Sequence, residues 1–361
     1  MVSDKEIQMD IKEFLKSKLP EIDSKIEKYI PKVPTTNWLE SALGKTVFKW
    51  DLKGYAASVN IPIWDLLERG GKRWRPVMVG LCAEAVGGKW DEAIEFAPIV
   101  EIIHNGTLMQ DDVEDDSQAR RGEPCTHKKF GIDVAINTGT IMYYWPMAQI
   151  YENKFKLTSD QKLKIYEIYF EEMIRVTSGQ ALDIIWHQGG FTPNENEYLN
   201  MCLSKTGVLA KFACQLGAIV GNATDEQIKA LGAFGQIVGT GFQIQDDILE
   251  LTDDVFKKGK GSIGGDIHEG KRTLIVIRTL EIAKDSDKER LIEILDSHTE
   301  KEEELQEALD IINKYDGIDY SKKKAEELVL NAWADADKVL KDSNAKTILK
   351  KFAEYLVDRK I

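Results

Sequence analysis

The chain lacks most of what would mark it as a disulfide scaffold, a membrane span or a nucleic-acid wrapper. Its four cysteines, Cys82, Cys125, Cys202 and Cys214, form no CxxC pair. That spacing supports neither a zinc site nor a disulfide framework, and reduced, packed thiols are expected. No run approaches the ~18 apolar residues of a membrane span. Met1 to Pro20 is charged throughout and has no apolar core of the kind that marks a secretory signal. Positive charge is also short: 48 Lys and Arg stand against 61 Asp and Glu, a net charge of −13. Such a chain is a poor binder of nucleic acid. A cytoplasmic protein with no stable membrane insertion and no nucleic-acid partner is therefore expected. Proline is sparse, at nine residues in 361, so few positions forbid a continuous helix.

What the chain does have is helical periodicity. Between Gln161 and Trp186 apolar residues recur three or four apart (Leu163, Ile165, Ile168, Tyr169, Met173, Val176, Leu182, Ile185). The segments 94–116, 134–151, 226–251 and 274–283 read the same way, and no strand-like alternation runs beyond a few residues. Pro62, Pro76 and Pro193 fall where helices start or break. Residues 1–35 read as a charged amphipathic extension. The Lys/Glu-rich tail beyond Lys284 reads as surface helices laced with ion pairs. No repeat or linker divides the middle, so 36–361 is expected to be one all-α domain. Gly232, Gly235, Gly239 and Gly241 crowd one helical stretch. Each costs about 1 kcal/mol there relative to alanine, which implies either close helix packing or a ligand cavity.

Two acidic clusters carry the chemistry. Asp111, Asp112 and Asp115 stand at i, i+1 and i+4, as do Asp246, Asp247 and Glu250. Like charges at that spacing repel, so a cation is expected to offset the cost. Hard divalent ions shared with substrate phosphates fit best. Arg120 and Arg121 follow the first cluster directly, placing guanidiniums suited to phosphate next to carboxylates suited to metal. His104 and Leu108 share the stripe of Asp111 and Asp115. A basic turn, Arg69-Gly70-Gly71-Lys72-Arg73-Trp74-Arg75-Pro76, offers a phosphate pocket without the spacing of a Walker loop. After the second cluster comes a lysine- and glycine-rich stretch, 257–266, of the kind that closes over anionic substrates. Taken singly, these elements are also compatible with charged helix ends and ordinary surface turns.

Together and in order they resemble the trans-isoprenyl diphosphate synthases (polyprenyl synthetases), and most closely their geranylgeranyl diphosphate synthase branch. The resemblance runs through GGKRWRP (70–76), His104, DDVED (111–115), RRG (120–122), GQALD (179–183), KTG (205–207), FQIQDD (242–247) and GDIHEGKRTL (265–274). It implies an antiparallel helical bundle of the isoprenoid synthase type around a deep central cavity, usually as a homodimer. It also implies magnesium, about three ions with substrate bound, and head-to-tail condensation of isopentenyl diphosphate with an allylic diphosphate. The resemblance assigns Asp111, Asp112 and Asp115, and Asp246, Asp247 and Glu250, to metal. Arg120, Lys205, Lys260 and Lys271 go to the allylic diphosphate. Lys72, Arg75, His104 and Arg121 go to the diphosphate of isopentenyl diphosphate. Thr206 and Gln243 are assigned to stabilising the carbocation, and Gln180 and Asp183 to the pocket wall.

The chain departs from the family at three points. Glu250 stands where Asp is usual, which puts a direct metal contact there in doubt. Gln110 precedes the Asp pair, where His or an aliphatic is commoner. The Lys260–Lys271 spacing is slightly long. In the family, the fourth and fifth residues before the first Asp govern product length. Here they are Thr107 and Gly106, both small, which disfavours a short product; the neighbouring helix offers Met142, Tyr143, Tyr144 and Trp145, and one of its aromatics is expected to floor the cavity. Geranylgeranyl diphosphate is the expected product, with farnesyl or longer polyprenyl diphosphates as the alternative. A terpene cyclase, a noncatalytic subunit and a merely ion-binding helical protein are the competing readings. The basic set for a second diphosphate argues against the first, the two acidic motifs against the second, and the ordered Lys–Thr and Phe–Gln motifs against the third.

Overall fold

The computed structural model describes residues 2–252 and 265–357. The helices run α1 (Asp4–Ile7), α2 (Ile11–Tyr29), α3 (Thr36–Leu43), α4 (Leu52–Tyr55), α5 (Ile61–Leu67), α6 (Trp74–Ala85), α7 (Trp90–Ala93), α8 (Ala97–Glu114), α9 (Thr126–Phe130), α10 (Ile132–Tyr144) and α11 (Ala148–Glu152). They continue as α12 (Ser159–His187), α13 (Glu195–Cys202), α14 (Val208–Val220), α15 (Asp225–Thr252), α16 (Gly265–His268), α17 (Leu274–Ile282), α18 (Asp285–Asp296), α19 (Glu302–Lys314), α20 (Gly317–Val339) and α21 (Asn344–Val357). Among the described residues, strand is confined to a two-residue pairing of Ala119–Arg120 with Glu123–Pro124. The all-α expectation holds.

The chain folds into two compact units. The first comprises 1–169, 212–231 and 339–349; the second comprises 170–211, 232–338 and 350–361. In the first, α8 packs against α2, α6 and α10. Ile11, Phe14, Leu15, Ile22 and Ile26 bury one face of α2. The second unit closes over an apolar core that includes Tyr198, Ile244, Ile248, Ile275, Leu291 and Ile312.

Local chemistry sets the ends of these helices. Asp10, Thr35 and Asn194 cap α2, α3 and α13 by accepting backbone N–H groups. Pro62 sits in the first turn of α5. The helix expected over 134–151 is broken. Pro146 cannot donate to the preceding turn, and Trp145–Met147 becomes a 3-10 turn between α10 and α11. The glycine cluster on α15 resolves as close packing at Gly239 and Gly241. A Cβ on Gly239 would lie 2.8 Å from the Gly207 α-carbon, and one on Gly241 2.7 Å from a Val329 methyl.

Candidate active site

In the first unit, α8 ends in the first acidic cluster. Asp111 and Asp115 are half-buried one turn apart, while Asp112 is fully buried. The chain then reverses through Arg121 (φ 54°) and Gly122 (φ 80°), which returns Arg120 to the helix end. Its Nε donates to Asp112 Oδ1 at 2.5 Å and its Nη2 to Asp111 Oδ2 at 3.3 Å. Arg69 fixes this reversal by donating to the carbonyls of Arg120, Glu123 and Pro124. Burial raises the Asp112 pKa, with Arg120 working against it. Cys125, beside Asp112, is pushed up to about 12 by burial and then by that carboxylate. Gln110 is absorbed by packing: its amide donates to Thr140 Oγ1 at 3.2 Å on α10.

The basic turn lies in the same unit. Gly70 (φ 88°), Gly71 (φ 142°) and Arg73 (φ 48°) turn the chain into α6. Arg73 is spent on structure, donating to Asp23, to Glu101 Oε1 at 2.8 Å and to the Leu67 carbonyl at 2.7 Å. Arg121 donates to the Gly70 carbonyl. A Cβ on Gly71 would meet Arg73 at 2.8 Å and Arg121 at 3.5 Å, so glycine is what lets the guanidiniums converge. Arg75 Nη1 stands 3.5 Å from His104 Nε2. Burial, then Arg75 and Arg121, hold His104 well below its ordinary pKa. Arg75, His104 and Arg121 thus share one cationic neighbourhood, and Lys72 is exposed on the turn beside them.

In the second unit, Lys205 and Thr206 sit on a π-helical turn, Leu203–Gly207, a local widening often found at functional sites. Lys205 pairs with Asp183 of α12. A Cβ at Gly179 would fall 2.4 Å from the Lys205 nitrogen, so glycine permits that approach. Gln180 is half-buried beside it. Thr206 Oγ1 donates to Gln243 Oε1 at 2.9 Å, and Gln243 Nε2 donates to Asp247 Oδ1 at 2.8 Å. Tyr198 OH donates to the other oxygen, Oδ2, at 2.7 Å. Burial and then Asp266 push the Asp247 pKa well up. Asp246 is half-buried. Glu250 Oε1 accepts the Asp266 N–H at 3.0 Å. Lys271 pairs with Asp266 and Glu269. Lys260 lies outside the described residues, as does the expected loop through 264.

The carboxylates supply hard oxygen donors, the right chemistry for magnesium. Among the described residues no group of three or more His, Cys, Asp or Glu is gathered as a complete metal site. Arg69 and Arg73 lie in the basic turn, but their structural roles are not legible in it; Tyr198 escapes the motif reading altogether and carries no sequence signal.

Known proteins show the same arrangement of sequence and fold. A sequence model described as polyprenyl synthetase matches residues 57–312. The chain is 33% identical over 298 residues to the geranylgeranyl diphosphate synthase of Sulfolobus acidocaldarius, covering 82% of this chain and 89% of that one. It is 35% identical over 294 residues to the short chain isoprenyl diphosphate synthase of Methanothermobacter thermautotrophicus, covering 81% and 88%. The crystal structure of the geranylgeranyl pyrophosphate synthetase of Pyrococcus horikoshii superposes with a TM-score of 0.83 at 31% identity, covering 97% and 98%. The fold is the all-α isoprenoid synthase fold, and the chain belongs to the polyprenyl synthetase family.

Proposed function

We propose that this trans-prenyltransferase condenses isopentenyl diphosphate with an allylic diphosphate and releases geranylgeranyl diphosphate. One observation carries the reading: the first unit holds two different anion stations. Arg75, His104 and Arg121 form a cationic one. Asp111 and Asp115 form a carboxylate one, suited to a diphosphate bridged by metal. A catalyst handling a single diphosphate needs only the second.

The residues divide the work accordingly. Arg75, Arg121, His104 and Lys72 would bind the diphosphate of isopentenyl diphosphate. His104 Nε2 stands 3.5 Å from Arg75 Nη1, which places its ring beside the guanidinium that would meet the diphosphate. Asp111 and Asp115, with Asp112 behind them on Arg120, would hold magnesium. Asp246 and Asp247 would do the same in the second unit. We read Glu250 as a support: it is one methylene longer than the Asp usual at that position, and its Oε1 accepts the Asp266 N–H at 3.0 Å. Bound magnesium would neutralise the departing pyrophosphate as a Lewis acid. Lys205, Lys260 and Lys271 would grip that leaving group, and Arg120 would neutralise it once a metal takes over its carboxylates. The Thr206 and Gln243 oxygens would face the allylic cation, and released pyrophosphate would accept the final proton.

We further infer a cytoplasmic homodimer. Phe170 and Ile174 on α12 are 58% and 67% exposed, an apolar face that favours a second copy. The test is incubation with isopentenyl diphosphate, magnesium and each of three allylic primers, followed by product sizing. Geranylgeranyl diphosphate is expected; absence of any chain elongation defeats the reading.

A further inference from the structure

Residues 2–56 precede the stretch matched by the polyprenyl synthetase sequence model and grip one of its turns. Tyr29, the last residue of α2, places its hydroxyl 2.9 Å from the Trp145 carbonyl and 3.0 Å from that of Pro146, and it accepts the Gln149 N–H at 3.2 Å. The Tyr29 carbonyl in turn accepts the Trp38 indole N–H at 3.0 Å. The Trp38 ring lies against the Trp145 ring, with centroids 4.5 Å apart and planes 33° apart. Tyr29, Trp38 and Trp145 therefore close a triangle. Tyr55 buttresses it edge-on against Trp38 at 6.1 Å.

The gripped turn is the one that interrupts the helix at Pro146. Its position along α8 follows from the packing of α10. A Cβ on Gly139 would meet Gln110 at 2.8 Å, and one on Gly106 would meet Met142 Cβ at 2.8 Å and the Tyr143 ring at 3.3 Å. The two helices thus run in opposite directions. One more turn brings Trp145–Met147, which packs on α8, to the level of Ile103, two helical turns from Asp111. A hydrocarbon extending from the carboxylates along α8 would meet that level two helical turns down. An isolated 3-10 turn holding a proline has weak hydrogen bonding of its own, so its position depends on what braces it.

We propose that the N-terminal segment before residue 57 sets product length, with Tyr29 and Trp38 acting as positioning residues that hold the Trp145 turn as a rigid floor. This rests on the reading that a residue within 142–145 stops the growing chain. Loosening the brace lets the floor recede, so products lengthen.

The test measures product lengths from isopentenyl diphosphate and farnesyl diphosphate with magnesium, for the wild type, Trp38→Ala, Trp38→Phe, Tyr29→Phe and Trp145→Ala. Trp38→Ala is expected to shift the main product by at least one isoprene unit. Tyr29→Phe, which removes a single oxygen and keeps the packing, is expected to shift it part of the way. Trp38→Phe, which keeps a ring against Trp145 but loses the N–H to the Tyr29 carbonyl, is expected to shift it less than Trp38→Ala, and KM for isopentenyl diphosphate is expected to stay within about 2-fold, since the brace touches no diphosphate. If Trp145→Ala lengthens the product while Trp38→Ala and Tyr29→Phe leave it unchanged or shorten it, the brace is overturned and the floor stands. If Trp145→Ala also changes nothing, and neither does alanine at 142, 143 or 144, the floor itself is wrong and the brace falls with it.

Discussion

Tyr198 holds Asp247 from behind: its hydroxyl donates to Asp247 Oδ2 at 2.7 Å across 49 residues of chain. The opposite oxygen is held by Gln243, which is held by Thr206. Asp247 thus sits at the end of a hydrogen-bonded row, with both oxygens fixed and little freedom to turn. Removing the Tyr198 hydroxyl should cost about 1–3 kcal/mol where the buried acceptor goes unsatisfied. Outer-shell partners of metal ligands typically matter by about 10–100-fold. Tyr198→Phe is therefore expected to raise the magnesium concentration needed for half-maximal rate by that order while helix content is kept, as a magnesium titration with circular dichroism would show.

Glu250 allows two opposite expectations. As a support for the Asp266 N–H it needs reach and an acceptor oxygen. Glu250→Gln keeps both and should stay within about 3-fold of wild-type kcat, whereas Glu250→Asp is one methylene short and should lose about 1–3 kcal/mol of stability. Steady-state rates and melting curves of the two variants check this. A direct metal ligand would give the reverse order, with Asp tolerated and Gln inactive.

Gly179 is where α12 meets the π turn. A Cβ would sit 2.4 Å from the Lys205 nitrogen and 2.7 Å from the Ser204 carbonyl carbon, both backbone atoms. Gly179→Ala should destabilise by about 1–3 kcal/mol through overpacking. It should also lower kcat, because relief displaces Lys205 and Thr206 together. Differential scanning calorimetry and a rate measurement on the same sample test both.

The extension contributes stability that depends on pH. Burial alone would raise the Glu6 pKa, but Lys18, 2.6 Å away, and Ser3 more than reverse this and lower it to about 2. A carboxyl depressed in the folded state stabilises above its ordinary value of 4.5, and that contribution fades as pH falls toward 2. Glu6→Gln should therefore destabilise the protein at neutral pH, with a gap to wild type that narrows near about pH 3. Urea titrations at the two pH values measure it.

Long helices are legible in this sequence because three-to-four apolar spacing needs no tertiary information. Ser159–His187 and Asp225–Thr252 match the expected spans to within two residues. The site is legible only as motifs. They assign Arg120 to phosphate and leave its bond to Asp112 invisible, because that bond depends on a reversal through Arg121 and Gly122 in left-handed conformations, pinned by Arg69. Tyr198 gives no signal because a lone tyrosine on a buried face looks like any other core residue. Pro146 is a readable signal. Running one helix through 134–151 ignores its missing N–H, and so the turn that the extension grips.

The central claim is that Asp111 and Asp115 hold magnesium for departure of the allylic pyrophosphate. The most direct measurement is the rate of condensation of isopentenyl diphosphate with an allylic diphosphate by Asp111→Asn and Asp115→Asn at saturating magnesium, with circular dichroism on the same samples. The account predicts a fall on the order of 10³-fold or more with helix content unchanged. Rates within about tenfold of wild type for both folded variants would contradict it.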